Sequence, residues 1–403
     1  SFTHRFFVDL TPYAKEVLHS DTERKTYLVG GLGKGGKGYY ALLLRHRDDS
    51  DGDGYWTDVW NVDNIGDGTS EDTVKNMVLW EYPRADTEND GMDNDGDGAT
   101  DEASEIDPDI GYSFSQAYIV KTNSATHRWV VIFGNGYSSV SGNAVLYILD
   151  LNGVLIRKID TGVGGDNGLS TPALIDVTND QQLDYVYAGD LKGNMWKFDL
   201  TDEDYANWGV AFNDGTNPKP LFEAGKPITS KPDVMRHCTQ YGYMVVFATG
   251  RFLHNDDRSD VSQQTIYGIW DYGDDVDDRV YLGSFDQGTG ELSNQPDDVT
   301  LLEQTIIDVR TISGHDYRTF SANAITWNTV EDEDDDQKPN PRESHIGWYV
   351  DFPNASPYEG ERVFKAVQIR DAKAFVISFI PDISPCSGGG NSFLYIINAC
   401  NGG

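Results

Sequence analysis

One pattern returns along this chain and constrains its fold more than any other feature. A short apolar run is followed by a glycine-bearing turn and then by a second run in which aromatic and aliphatic residues alternate. The pattern is plain in "LDYVYAGDLKGNMWKFDL" (183–200) and in "WVVIFGNGYSSVSGNAVLYILDL" (129–151). "YMVVFATGRFL" with "QTIYGIWD" (243–271) follows the same plan with a longer connection, and "AFVISFIPDISPCSGGGNSFLYIINAC" (374–400) repeats it. Each copy reads as a β-hairpin whose glycines supply the positive φ that tight turns need. A lone hairpin cannot bury both faces, so such units must pack on one another. Radial stacking of small antiparallel sheets accommodates irregular repeats, which predicts an all-β chain folded as a β-propeller. At about 40 to 50 residues per blade, 403 residues with long insertions hold about six to eight blades. A β-sandwich is the alternative, though one of this size would be unusual. Helix is sparse, and "TPYAKEVLHSDTERKT" (11–26) is the one stretch that reads as a short helix.

The same pattern explains "TYLVGGLGKGGKGYYALLL" (26–44). Gly31, Gly33 and Gly36 fit the G-x-G-x-x-G spacing of a dinucleotide site, and Lys37 brings the stretch close to a P-loop. Both motifs need a helix directly after the glycines, because the helix N-terminus holds the phosphate. The next residues are instead "YYALLLRHR" and then an Asp/Gly turn, with Gly38 where a P-loop needs Ser or Thr. The stretch therefore reads as another hairpin, not a nucleotide site.

Lys and Arg total 31 against 66 Asp and Glu, a formal net charge of −35. Such a surface repels phosphate backbones, which excludes nucleic acid as a partner and favours cations. Much of the excess is local, in "DDSDGDG", "DNDGDGATDE" and "EDEDDD". No apolar run is long enough to form a transmembrane segment, and the first residues lack a basic-then-apolar signal pattern. The chain reads as a mature domain or a piece of something longer. Cys386 and Cys400 bracket a glycine-rich turn, and a disulfide between them is the expectation for an exported protein, with two free thiols as the alternative. Cys238 is then left over and is expected to be buried.

Taken in order, the recurring words resemble one family. "YLVGGLGKGGKGYYAL", "GYSFSQAYIV", "WVVIFGNGY", "LYILDL", "NGLSTPALIDV", "DYVYAGDLKGNMWKFDL", "FATGRFL", "QTIYGIWD", "GWYVDFP" with "GERV", and the Cys- and Gly-rich last hairpin follow the order found in the C-terminal β-propeller domain of the PilC/PilY-type type IV pilus biogenesis and tip adhesin proteins. The resemblance runs from about residue 26 to the end. It implies one modified seven-bladed propeller over 1–403, with acidic insertions at about 48–110 and 328–342. It also implies an extracellular location at the pilus tip or outer-membrane surface, and a non-catalytic role. That role is to promote pilus extension, to work with minor pilins and the pilus tip, and to take part in adhesion to host or abiotic surfaces. The N-terminal adhesin-like segment of the family is missing from this sequence.

Three acidic loops approach the D-x-D-x-D-G-x-x-D arrangement, in which alternate carboxylates and a seventh-position carbonyl converge on calcium. In "DNDGDGATD", Asp93, Asp95, Asp97 and Asp101 take positions 1, 3, 5 and 9, Ala99 offers its carbonyl, and Glu102 and Glu105 stand near. In "DSDGDGYWTD", Asp49, Asp51 and Asp53 take positions 1, 3 and 5, Gly54 is sixth and Tyr55 seventh. The ninth position there is Thr57, with Asp58 one residue later. In "DVTNDQQLD", the five ligand places fall to Asp176, Thr178, Asp180, Gln182 through its carbonyl, and Asp184. The resembled family has its regulatory calcium loop at this third place. Thr178 is a weak ligand, however, and Gln181 stands where the turn wants glycine. An empty loop would be a turn held by Asp side chains bonding to backbone amides.

Enzyme readings have less support. Quinoprotein dehydrogenases are also propellers, and nine Trp residues invite that comparison, but the adjacent Cys-Cys pair often used by the enzymes it resembles is absent, as is a regular Trp-docking repeat. There is no G-x-S-x-G elbow and no H-E-x-x-H. His237 beside Cys238 reads as a buried structural pair before a metal site. Tyr55 and Trp56 either pack the acidic loop onto the propeller rim or contact a glycan, and a glycan-binding adhesin with no assembly role is the alternative within the binding class.

Overall fold

A computed structural model describes residues 8–49, 51–62, 75, 77–83, 107–272, 281–295, 299–327, 344–382 and 389–403. Apart from three short 3-10 turns, the regular elements described are strands. The chain divides into two compact units, one of residues 1–186 with 198–209, the other of residues 187–197 with 210–403.

The first unit opens on a five-stranded antiparallel sheet. β1 (Tyr13–Ser20), β2 (Glu23–Gly31), β3 (Tyr39–Asp48) and β4 (Thr57–Asn61) follow one another, and β5 (Val78–Tyr82) also pairs with β3. The stretch that reads as a short helix in the sequence is in fact strand β1. β1 and β2 pair from Tyr13↔Val29 to Ser20↔Glu23. The only fully buried side chain of β1 is Val17, so a single contact and a backbone ladder override a sequence with fair helix propensity. Between β2 and β3 the glycine-rich stretch forms one 3-10 turn, Gly33–Gly35, and no helix follows it.

A four-stranded meander comes next: β6 (Tyr118–Lys121), β7 (Trp129–Gly134), β8 (Val145–Asp150) and β9 (Leu155–Asp160). β7 and β8 are buried on both faces over almost their whole length, as unbroken apolar runs require. Tyr39 of β3 stacks on Phe133 of β7 at 3.8 Å between ring centroids, and Phe133 stacks on Tyr147 of β8 at 5.4 Å. The Tyr39 hydroxyl donates to the Ser115 carbonyl at 2.9 Å, so this ring buries its area without stranding its polar end. Asn135, at the end of β7, is wholly buried with its amide satisfied: Nδ2 donates to the Asp109 and Asn143 carbonyls, and Oδ1 accepts from Val145 and Leu169.

β10 (Ala173–Ile175), β11 (Tyr185–Gly189) and β12 (Asn194–Asp199) contain the "YAGDLKGNMWKFDL" word. The base of the β11–β12 hairpin belongs to the first unit and its tip to the second. At the tip, buried Asp190 accepts from the amides of Lys192 and Asn194 and from Trp196 Nε1 at 2.9 Å. Gly193 has φ +88°, and a Cβ there would meet the Lys226 amide nitrogen at 2.4 Å, so only glycine fits the turn. Lys197, 1 % exposed, pairs with buried Asp271 at 2.8 Å.

The second unit holds a five-stranded sheet in the order Asp233–Arg236, Tyr243–Ala248, Thr265–Asp271, Ser344–Asp351, Val299–Gln304. It also holds the hairpin of Ile306–Ile312 with His315–Phe320, and a three-stranded sheet of Gln368–Arg370, Lys373–Pro381 and Gly390–Asn398. All five stretches read as hairpins in the sequence form paired strands: β2–β3, β7–β8, β11–β12, and the two pairs in this unit that begin at Tyr243 and Lys373.

Candidate metal centre

The β3–β4 connection is the "DSDGDG" loop. Gly52 and Gly54 have φ of +70° and +84°, which lets the chain turn at every second residue and leaves Asp49, Asp51 and Asp53 on one side. One carboxylate oxygen from each of the three lies within 4.8 Å of the others, the only such group of three or more acidic, His or Cys residues among the described residues. Asp51 and Asp53 are exposed, whereas Asp49 is buried at 7 %. The Asp49 amide donates to the Thr22 carbonyl at 2.9 Å, which ties the loop to the β1–β2 turn. Asp49 Oδ1 is buried with no hydrogen-bond partner. A buried acceptor left unpaired costs about 1–3 kcal/mol, and a cation removes that cost while cancelling the repulsion among the three carboxylates. Three carboxylates supply up to six oxygens, which suits a hard cation that takes six to eight.

The rest of this loop is already engaged. Asp53 Oδ1 accepts from the Tyr55 amide at 2.8 Å. Asp58, which the spacing leaves beside the ninth position, is held instead by Arg45 through two bonds of 2.6 and 2.9 Å. Arg45 holds its carboxyl below the usual carboxylate range. Thr57 turns its hydroxyl to the Asp48 carbonyl. Trp56 packs under the Arg24 guanidinium at 4.2 Å, while Tyr55 is 77 % exposed.

The Asp176–Asp184 loop is built differently. Asp176 accepts from the amides of Asn179, Asp180 and Gln181. Asp180 accepts from the Gln182 side chain and from the Gln182 amide, which lowers its pKa. Asp184 is buried and accepts from Val177 and from Asn123 Nδ2. Each carboxylate is thus turned onto nearby donors, and the loop does not gather its acids at one point. Gln181, in the place that wants glycine, adopts φ +68°. The ligand set Asp93, Asp95, Asp97, Ala99 and Asp101, with Glu102 and Glu105, lies outside the described residues.

The disulfide expected between Cys386 and Cys400 is corrected: Cys400 pairs with Cys238, with their Cα atoms 6.0 Å apart. Cys386 lies outside the described residues. The reason is strand geometry. Cys400 stands just beyond the end of the nine-residue strand Gly390–Asn398, which runs roughly 30 Å from Gly390. At that far end the chain docks on the five-stranded sheet, where Trp348 Nε1 donates to the Ala399 carbonyl at 3.0 Å. His237 is a buried structural residue as expected, packed against Trp270 and Trp327. A further cluster carries no motif that spacing would reveal: buried Asp107 accepts from the hydroxyls of Tyr82 and Tyr147, and Lys158 bridges Asp107 and Asp109.

Comparison with known proteins places this architecture. The family model of the PilY1 beta-propeller domain matches residues 1–304. The crystal structure of the Pseudomonas aeruginosa PilY1 C-terminal domain superposes with a TM-score of 0.70 at 27 % identity, covering 99 % of this chain and 72 % of that one. The chain is an all-β protein of the β-propeller class. Among curated proteins it is 30 % identical over 430 residues to the type IV pilus biogenesis factor PilY1 of Pseudomonas aeruginosa, covering 99 % of this chain and 31 % of that protein. It is 29 % identical over 424 residues to a PilY1 homologue of Xylella fastidiosa, covering all of this chain and 23 % of that protein. The chain belongs to the PilY1 β-propeller family. It spans about a quarter to a third of the length of these curated relatives. No helix among the described residues is long and apolar enough to cross a membrane.

Proposed function

We propose that this chain is the propeller portion of a type IV pilus biogenesis factor, carried on the cell surface or at the pilus tip, where it promotes pilus extension. The observation that carries the reading is likeness over essentially the whole chain to proteins named for that role. In this reading the chain forms one seven-bladed ring that contacts minor pilins and does no chemistry. The acidic insertions bind calcium, and Asp49, Asp51 and Asp53 are the first site to fill, because the buried unpaired oxygen of Asp49 favours an ion there. Asp176, Thr178, Asp180, Gln182 and Asp184 bind more weakly, since their carboxylates must first give up backbone partners. A strain whose full-length protein lacks this segment is expected to show far fewer surface pili by electron microscopy, and the isolated segment is expected to retain minor pilins in a pull-down. Normal pilus counts in the deletion strain would refute the assembly role, and a clean pull-down without pilins would refute that contact.

A further inference from the structure

A cavity of about 630 Å³ opens beside the strands His315–Phe320 and Gly390–Asn398. Its size falls among small-molecule sites, about 300–1,000 Å³. Phe320, Tyr358 and Phe393 line it together with polar residues, among them Asp316, Asn391 and Ser392. Arg318 lies among them with its side chain 2 % exposed. Its guanidinium sits 3.7 Å over the ring of Phe393 and 4.5 Å from that of Tyr358.

The donors of Arg318 are unevenly used. Nη1 donates to Glu361 Oε2 at 2.7 Å and to the Tyr395 hydroxyl. Nε and Nη2 are buried with no acceptor. Glu361 meets Nη1 alone, and its other oxygen accepts from the hydroxyls of Tyr395 at 2.6 Å and Ser378. Buried donors without acceptors are costly, so the site favours whatever supplies two oxygens. The Nε–H and Nη2–H bonds of a guanidinium run side by side and match the two oxygens of a carboxylate.

We propose that this cavity binds a compact monocarboxylate, with both carboxylate oxygens on Nε and Nη2 of Arg318 and its body against Phe320 and Phe393. Tyr358 covers one face of the guanidinium, bonds Asp316 at 3.1 Å and meets the Phe393 ring edge-on at 5.9 Å, and the ligand enters as this ring turns aside. A free small carboxylic acid and the acidic sugar at the end of a glycan present the same group to Arg318.

Calorimetric titration with cyclohexanecarboxylate and with glucuronate, each against its neutral counterpart cyclohexanecarboxamide or glucose, tests the proposal and separates the two sources. One acid is expected to saturate the protein at millimolar concentration and its neutral counterpart to bind at least about tenfold more weakly. Arg318→Lys keeps the charge but loses the paired donors, and is expected to lose about tenfold in affinity. Asn391, exposed and on the same strand face as Phe393 and Tyr395, offers a variant remote from the ion pair: Asn391→Trp is expected to fill the cavity and abolish binding with an unchanged melting temperature. No saturation by either acid, equal binding of the neutral compound, or full affinity in Asn391→Trp would overturn the proposal and leave a cavity that holds water only.

Discussion

His237 shows how much one buried ring can set. Its Nδ1 accepts from the amides of Thr239 and Gln240 at 3.2 and 2.8 Å, so Nε2 carries the proton, and that atom is buried without a partner. The rings of Trp270 and Trp327 lie 4.8 and 4.3 Å away, and burial pushes the imidazole down to about 4 from an ordinary 6.5. The unfolded chain therefore binds the proton first as pH falls. The contribution of His237 is intact above about pH 6.5 and is lost as pH falls toward about 4, by up to about 1.4 kcal/mol per pH unit. His237→Asn keeps an acceptor for the two amides and cannot titrate. Thermal melts between pH 7 and pH 4 are expected to show a shallower fall for this variant than for the unaltered protein, and parallel curves would remove His237 as the cause. A buried structural role is legible in the sequence from the place of this residue beside Cys238. The two tryptophans that produce the shift stand 33 and 90 residues further along the chain, and no spacing announces them.

At the scale of elements, hairpins are legible because their signals are local. Glycine turns and apolar alternation lie within twenty or so residues of one another, and the strands form where those signals stand. β1 escapes such a reading because one buried valine is a faint signal and the ladder to β2 decides its conformation. The disulfide escapes it for a related reason: nearness along the chain suggests Cys386, while a nine-residue strand carries the chain on from Gly390 to Cys400 beside Cys238. The Cys238–Cys400 bond closes a loop with a separation of 162 residues, so its loss removes a constraint on the unfolded chain worth about 2–5 kcal/mol. Cys238→Ser is expected to lower the melting temperature by several degrees under oxidising conditions, and Cys386→Ser to leave it unchanged. A non-reducing peptide map that joined 386 to 400 would contradict the pairing.

For the molecule as a whole, a formal charge of −35 makes cations the dominant solution variable. An ion that binds only the folded state stabilises it by mass action, by about 2.7 kcal/mol at a hundredfold excess over its dissociation constant. Calcium is therefore expected to raise the melting temperature above that measured in chelator, and above that in magnesium at equal ionic strength, which accounts for screening alone. Asp49→Asn is expected to remove most of the calcium-specific part. Equal midpoints in calcium and chelator would count against every acidic loop as a metal site, while leaving the propeller assignment untouched. What the sequence determined by itself was the class of the protein: repeated glycine-turned hairpins, an acidic surface, and the candidate ligands at alternate positions of tight loops. These are short-range properties of chain chemistry. Tertiary structure alone decided which carboxylates converge, which oxygen is buried without a partner, and which cysteines meet. Those outcomes depend on strands that are distant in sequence and brought together by packing, where a few ångströms separate a gathered site from a set of acids each turned onto its own backbone.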